Sequence, residues 1–176
     1  MFIIALIISI IIGYIFKGRL KNLINVEMNY LYLVFAAFMI EAITIFCIRK
    51  GLLQRGTITF VLDLCMYILI FLFGYFNRKN PFIVIMCFGF LLNAIPIFLN
   101  GGAMPVGVKT IDTVGLTHNI DREGLYRLVD SNTKLWFLGD VIPFKFITNL
   151  AISIGDIVAA IGLMLFVIMG MKKTKS

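Results

Sequence analysis

Histidine is nearly absent from this 176-residue chain, which has only His118, and its three cysteines, Cys47, Cys65 and Cys87, each lie inside an apolar stretch. One histidine excludes a His-rich metal centre, and isolated thiols at these spacings supply neither a metal quartet nor an external disulfide pair. They read as small apolar packing residues, so no metal is expected. Charge is scarce too. Charged residues make up 14% of the chain against 61% hydrophobic, with a mean hydropathy of +1.02, a balance that no soluble core of this size requires. The chain also lacks a visible repeat, a Ser/Gly/Pro-rich linker and any cofactor motif, so one domain over residues 1–176 without a cofactor is the economical reading.

What is present is length in apolar runs. Five stretches, roughly 1–16, 30–48, 58–76, 82–99 and 153–170, approach or reach the ~20 helical residues that span a hydrocarbon core, the first and last being the shortest. The sequence therefore predicts an all-α integral membrane protein, a five-helix transmembrane bundle with one long external loop over 100–152. The first stretch lacks a basic start, and Lys17-Gly18-Arg19 after it shows no small-residue cleavage pattern, which predicts a retained helix rather than a signal peptide.

The net charge of +7 does not point to nucleic acid, because the basic residues gather in short loops and at the tail. Lys17, Arg19 and Lys21, then Arg78 and Lys79, then Lys172, Lys173 and Lys175 fall on one side of a five-helix chain, opposed in short loops by Arg49, Lys50 and Arg55. The positive-inside rule then puts the amino terminus outside the cell membrane and the carboxyl terminus in the cytoplasm. Segment 100–152 lies outside. It holds five of the nine acidic residues, the sole Trp and the sole His, and a loop so long in so small a protein is usually functional. Within it, 119–130 places Leu125, Leu128 and Val129 on one side of a short helix, and Trp136-Phe137 suit the headgroup layer, so the loop is expected to lie on membrane lipid.

Two aspartates share a local setting: Leu-Gly-Asp-Val-Ile at 138–142 and Ile-Gly-Asp-Ile-Val at 154–158. Asp156 fits a Ser153-x-x-Asp capping box, and capping alone could account for it. Gly155, Ala159 and Gly162 form a close-packing stripe beside it. Asp140 alone reads as a turn residue, yet two carboxyls brought to one membrane face form an acid/base pair that can activate water. Elsewhere Glu41 sits mid-helix and Asp63 one turn into the third helix. A charge at the bilayer centre costs about 2.5–3.5 kcal/mol, so Glu41 is expected to face the interior, either as a proton or solute site or bonded to Asn93, Thr44 or Tyr67. Asn93 and Pro96 lie near the end of the fourth helix, just before the Asn100-Gly101-Gly102 turn. That turn, with His118 and Arg122 of the loop, forms the expected substrate-contact set, the default for His118 and Arg122 being solvation.

The segments Asn100-Gly-Gly-Ala-Met-Pro-Val106, Leu138-Gly-Asp-Val-Ile-Pro143 and Ile152-Ser-Ile-Gly-Asp156 with Gly162 resemble an uncharacterised bacterial membrane-protein family, a domain of unknown function, over most of the chain. Residues 85–168 also resemble lipoprotein signal peptidase, a membrane aspartyl protease, in the order Gly101-Gly102-Ala103, Asp140-Val141-Ile142 and Ser153-Ile154-Gly155-Asp156. Met104-Pro105-Val106 replace that family's Asn and Asp-Arg, and its first-loop asparagine motif has no clear match. The second resemblance implies a catalytic Asp140–Asp156 dyad acting on a lipid-anchored peptide or a similar interfacial substrate. The alternatives are a binding or transport protein for a small solute or proton, using Glu41, Asp63 and Asn93, or an accessory subunit docking a partner through the small-residue face of the last helix.

Overall fold

In the computed structural model, residues 1–115, 126–146 and 148–172 are described. Among the described residues there are six α-helices: α1 (Phe2–Ile15), α2 (Tyr32–Arg49), α3 (Thr57–Phe76), α4 (Pro81–Leu99), α5 (Val108–Val114) and α6 (Ile154–Lys172). The long helices fall within two residues of the expected bounds, because unbroken apolar runs leave their backbones no better partner than themselves. Four of them, α2, α3, α4 and α6, are long and apolar enough to cross a membrane. With 14 residues α1 is shorter, about 21 Å at 1.5 Å per residue against a core of ~30 Å.

Local signals set the helix ends. Asn80 caps α4 by accepting the Phe82 amide at 3.1 Å, with Pro81 in the first turn, where its missing N–H costs nothing. Thr59 closes the start of α3 by accepting the Gly56 amide at 3.0 Å. At the opposite end of the bundle, the Met171 carbonyl accepts the Asn22 side-chain amide at 2.7 Å and the Arg19 backbone N–H at 2.9 Å. Asn77 and Asn29 bond reciprocally at 2.8 Å, which fastens the α3–α4 turn to the α1–α2 linker.

The helices form two groups. α6 packs along α4 and α1, while α2 packs on α3, and the groups meet mainly where α3 touches α4. The expected small-residue stripe of the last helix makes the first group: a Cβ on Gly89 would stand 2.6 Å from the Gly155 carbonyl oxygen, and one on Gly162 would stand 2.6 Å from the Met86 nitrogen. That face of α6 is thus occupied by α4 and is not open for a partner. A cleft separates the groups at the end where α2 finishes and α3 and α6 begin.

Segment 100–152 is more structured than the sequence suggests. β1 (Met104–Val106) pairs in parallel with β2 (Tyr126–Leu128), and β3 (Ile142–Phe144) pairs antiparallel with β4 (Leu150–Ile152). The helix expected over 119–130 is corrected where it is described. Residues 126–128 are a strand, because the β1 backbone offers Tyr126, Arg127 and Leu128 inter-strand bonds; among the described residues of the loop, the helix is α5, which buries Ile111 and Val114. Residues 119–125 lie outside the described residues. Trp136 and Phe137 are exposed, as expected of side chains at a headgroup layer.

Candidate functional site

The two Gly-Asp motifs share a structural logic. Gly139 lets its strand press against β1: a Cβ there would lie 3.0 Å from the Pro105 carbonyl carbon. This approach clamps the next residue, whose N–H donates to the Pro105 carbonyl at 2.8 Å while its own carbonyl accepts the Gly107 N–H at 3.2 Å. Asp140 is held in a bridge to Val106 rather than in a free turn. Gly155 does the same on α6, since a Cβ there would lie 2.6 Å from the Gly89 carbonyl oxygen and 2.7 Å from Asn93 Cγ. Its absence admits the Asn93 side chain, whose Nδ2 donates to Asp156 Oδ1 at 2.9 Å and whose Oδ1 accepts the Ser153 hydroxyl at 2.7 Å. The capping box forms around this: the Asp156 amide donates to Ser153 Oγ at 2.9 Å, and the Ser153 amide donates to Asp156 Oδ2 at 3.3 Å. Asn93 thus spends both ends of its amide on α6 and is not the partner of Glu41.

Both aspartates line one cavity of about 350 Å³ in the cleft, together with Glu41, Asp63, Arg55, Thr44, Tyr67, Asn93 and Gly102. The acid/base pair and the alternative polar set named from the sequence therefore belong to a single site. Asp140 is only 6% exposed, and its Oδ1 is buried with no hydrogen-bond partner among the described residues. Burial, and then the negative charge of Asp156, push its carboxyl from the ordinary 3.8 up to about 8. At neutral pH Asp140 carries a proton, while Asp156 accepts from Asn93 and from its own cap.

Arg55 is the functional residue that sequence reasoning missed, having been counted only as a topological charge. It reaches Asp63 at 3.7 Å, each side chain 22% exposed, and its Nε and Nη1 are buried without a partner among the described residues. The readable signal was a lone arginine two residues ahead of a helix that carries an aspartate in its second turn. Gly102, at φ +82°, keeps this corner open, since a Cβ would stand 3.3 Å from the Phe60 ring and 3.7 Å from both Arg55 Nη2 and Asp63 Oδ2. Two residues of the expected substrate-contact set stand apart. The Asn100 amide donates to the Pro96 and Lys134 carbonyls at 2.7 and 2.8 Å and accepts the Lys134 N–H at 2.9 Å, so it fastens the loop to α4; Gly101 faces open space. His118 and Arg122 lie outside the described residues. Among the described residues, no group of three His, Cys, Asp or Glu side chains suits a metal ion.

Apolar helices of spanning length and a carboxyl-rich cavity between two helical groups define a multi-pass helical membrane protein. Its residues 23–168 match DUF5317, a family of unknown function, and the chain belongs to that family. It is also 29% identical over 170 residues to an uncharacterised protein of Thermotoga maritima, a likeness covering 96% of this chain and 88% of that protein. No solved structure matches the chain.

Proposed function

We propose that the protein is an aspartyl hydrolase of the cell membrane acting on an interfacial substrate such as a lipid-anchored peptide. One observation carries the reading: Asp140, buried with an unpartnered carboxyl oxygen, lines the same cavity as Asp156. In the proposed mechanism Asp156 takes a proton from water as the water oxygen bonds to the scissile carbonyl carbon, and protonated Asp140 donates to the carbonyl oxygen. As the intermediate collapses the C–N bond breaks, the proton held by Asp156 passes to the leaving amine, and a hydroxyl proton of the intermediate returns to Asp140. Arg55, beside Asp63 in the same cavity, adds positive charge that favours electron density developing on the carbonyl oxygen as it takes the proton. The motif order shared with lipoprotein signal peptidase supports the same roles for the same two aspartates.

This reading includes five crossings, the amino terminus outside and the carboxyl terminus in the cytoplasm. The packing of α1 along α6, and the approach of Gly13 and Gly18 to Met171 near the far end of α6, support a fifth crossing. With Ser131→Cys in a chain whose native cysteines are removed, an impermeant maleimide applied to intact cells should label the new thiol; protection until the cells are opened would reverse the orientation.

Release of peptide from a fluorogenic lipopeptide, read with purified protein in lipid, tests the chemistry. Asp140→Asn and Asp156→Asn should each lower the rate by at least about 100-fold, and the wild-type rate should fall as pH rises through about 8, where Asp140 loses its proton. Glu41→Gln, which leaves both members of the pair in place, should lower the rate far less than either. A second reading, binding or transport of a small solute or proton, is favoured by Glu41 and Asp63 sharing the cavity. That reading gains if Glu41→Gln abolishes function while Asp140→Asn is tolerated.

A further inference from the structure

Next to the carboxyl-lined cavity lies an apolar chamber of about 420 Å³; Phe2, Phe38, Ile70 and Phe90 line both, with the Phe2 and Phe90 rings stacked at 6.0 Å. The arrangement has a direction. On α2 Val34 precedes Glu41; on α3 Phe73 follows Asp63; on α4 Ile83 to Phe90 precede Asn93; on α6 Leu163 and Phe166 follow Asp156. On each of these four helices the chamber residues lie on the same side of the polar ones, deeper into the bundle. Ten residues of α4, about 15 Å at 1.5 Å per residue, separate Asn93 from Ile83.

The chamber is partly open, and its wholly apolar lining gives water no partners. A hydrocarbon chain satisfies it. At the mouth, among the described residues, four carboxyl groups stand against the single guanidinium of Arg55. One of the four, Asp140, is more than nine-tenths buried, and its Oδ1 has no hydrogen-bond partner among the described residues. An ammonium group answers this lining: it brings positive charge to the carboxyls and N–H donors to a site whose buried acid lacks one.

We infer that the cleft binds a single-chain amphiphile with a cationic head, its hydrocarbon in the apolar chamber and its head among Glu41, Asp63, Asp140 and Asp156. This names the substrate class of the hydrolase and rests on that reading, but binding is measurable without turnover. Full-length protein in phosphatidylcholine nanodiscs is titrated with dodecylamine, dodecanol, dodecyl phosphate or butylamine, and retention is read in excess of empty discs. Dodecylamine should saturate, and bind at least about tenfold more tightly than any of the other three. Val34→Phe and Leu163→Phe narrow the chamber from opposite walls, and each, in protein that elutes as the wild type does, should weaken dodecylamine about tenfold. Glu41→Gln should lessen the preference for the amine over the alcohol. Equal retention of the three dodecyl compounds, preference for the phosphate, or indifference to both chamber variants overturns the inference. Selective dodecylamine binding by a protein that cleaves no lipopeptide leaves the inference standing and removes the hydrolase; cleavage without selective binding does the reverse.

Discussion

At the residue scale, the two aspartates differ in what surrounds them. Asp156 is supplied with donors by Asn93 and its own cap, whereas Asp140 is held only by its backbone and keeps one carboxyl oxygen unpartnered. In the proposed mechanism that asymmetry is what divides the acid from the base. It has a consequence for stability. A carboxyl raised from 3.8 to about 8 in the folded chain binds a proton that the unfolded chain has released, so its contribution is full below about pH 4 and is lost progressively up to about pH 8. Asp140→Asn removes that loss. The variant should therefore gain thermal stability relative to the wild type as pH rises from 5 to 8, read as the difference in Tm at each pH, about 1.4 kcal/mol per unit being the upper limit for one proton. A constant difference across that range would mean that Asp140 is not buried in its protonated form. The sequence exposed Asp140 only through its likeness to the Gly-Asp setting of Asp156. Its burial depends on the bridge to Val106, thirty-odd residues away in the chain and beyond any local pattern.

At the element scale, the helices were legible and the loop was not. Apolar runs between charged turns fix α2, α3, α4 and α6 closely, since apolar side chains and the need for internal backbone bonding act together. The small-residue stripe of α6 was also readable, although its partner was not: Gly89 opposite it carries no signal of its own. Strands of three residues lie below any periodicity, and β1–β2 joins segments twenty residues apart. The α4–α6 contact is where element packing and site chemistry coincide. Gly155→Ala would drive a Cβ against the Gly89 carbonyl and the Asn93 side chain. It should destabilise the protein by about 1–3 kcal/mol, displace Asn93 from Asp156 and reduce activity beyond what the stability loss explains. Ala160→Gly, on the same helix but without that contact, serves as the control. Equal activity of Gly155→Ala and wild type at matched folded fraction would show that Asn93 does not position Asp156.

At the scale of the whole molecule, the site belongs to neither helical group. α4, α6 and the loop supply Asn93, Asp156 and Asp140, whereas α2, α3 and the turn between them supply Glu41, Asp63 and Arg55. The sequence offered these as two sets, a dyad and an alternative polar centre: alternating crossings put the ends of α2 and α4 and the starts of α3 and α6 on one side, but do not say that they line one cavity. The packing of the two groups does: with α2–α3 and α4–α6 each returning to the same end, these polar residues are brought to one place. An apolar chamber running deeper along the same helices then gives the cleft a polar mouth and an apolar floor.

The most direct test of a coupled carboxyl pair in that mouth is the titration of Asp140 by difference infrared spectroscopy, using the protonated-carboxyl C=O band absent from Asp140→Asn. The account predicts that the band persists at neutral pH, fades near pH 8, and fades at lower pH in Asp156→Asn, because the neighbouring negative charge has gone. A band that is missing at neutral pH, or one whose midpoint ignores Asp156→Asn, would contradict it.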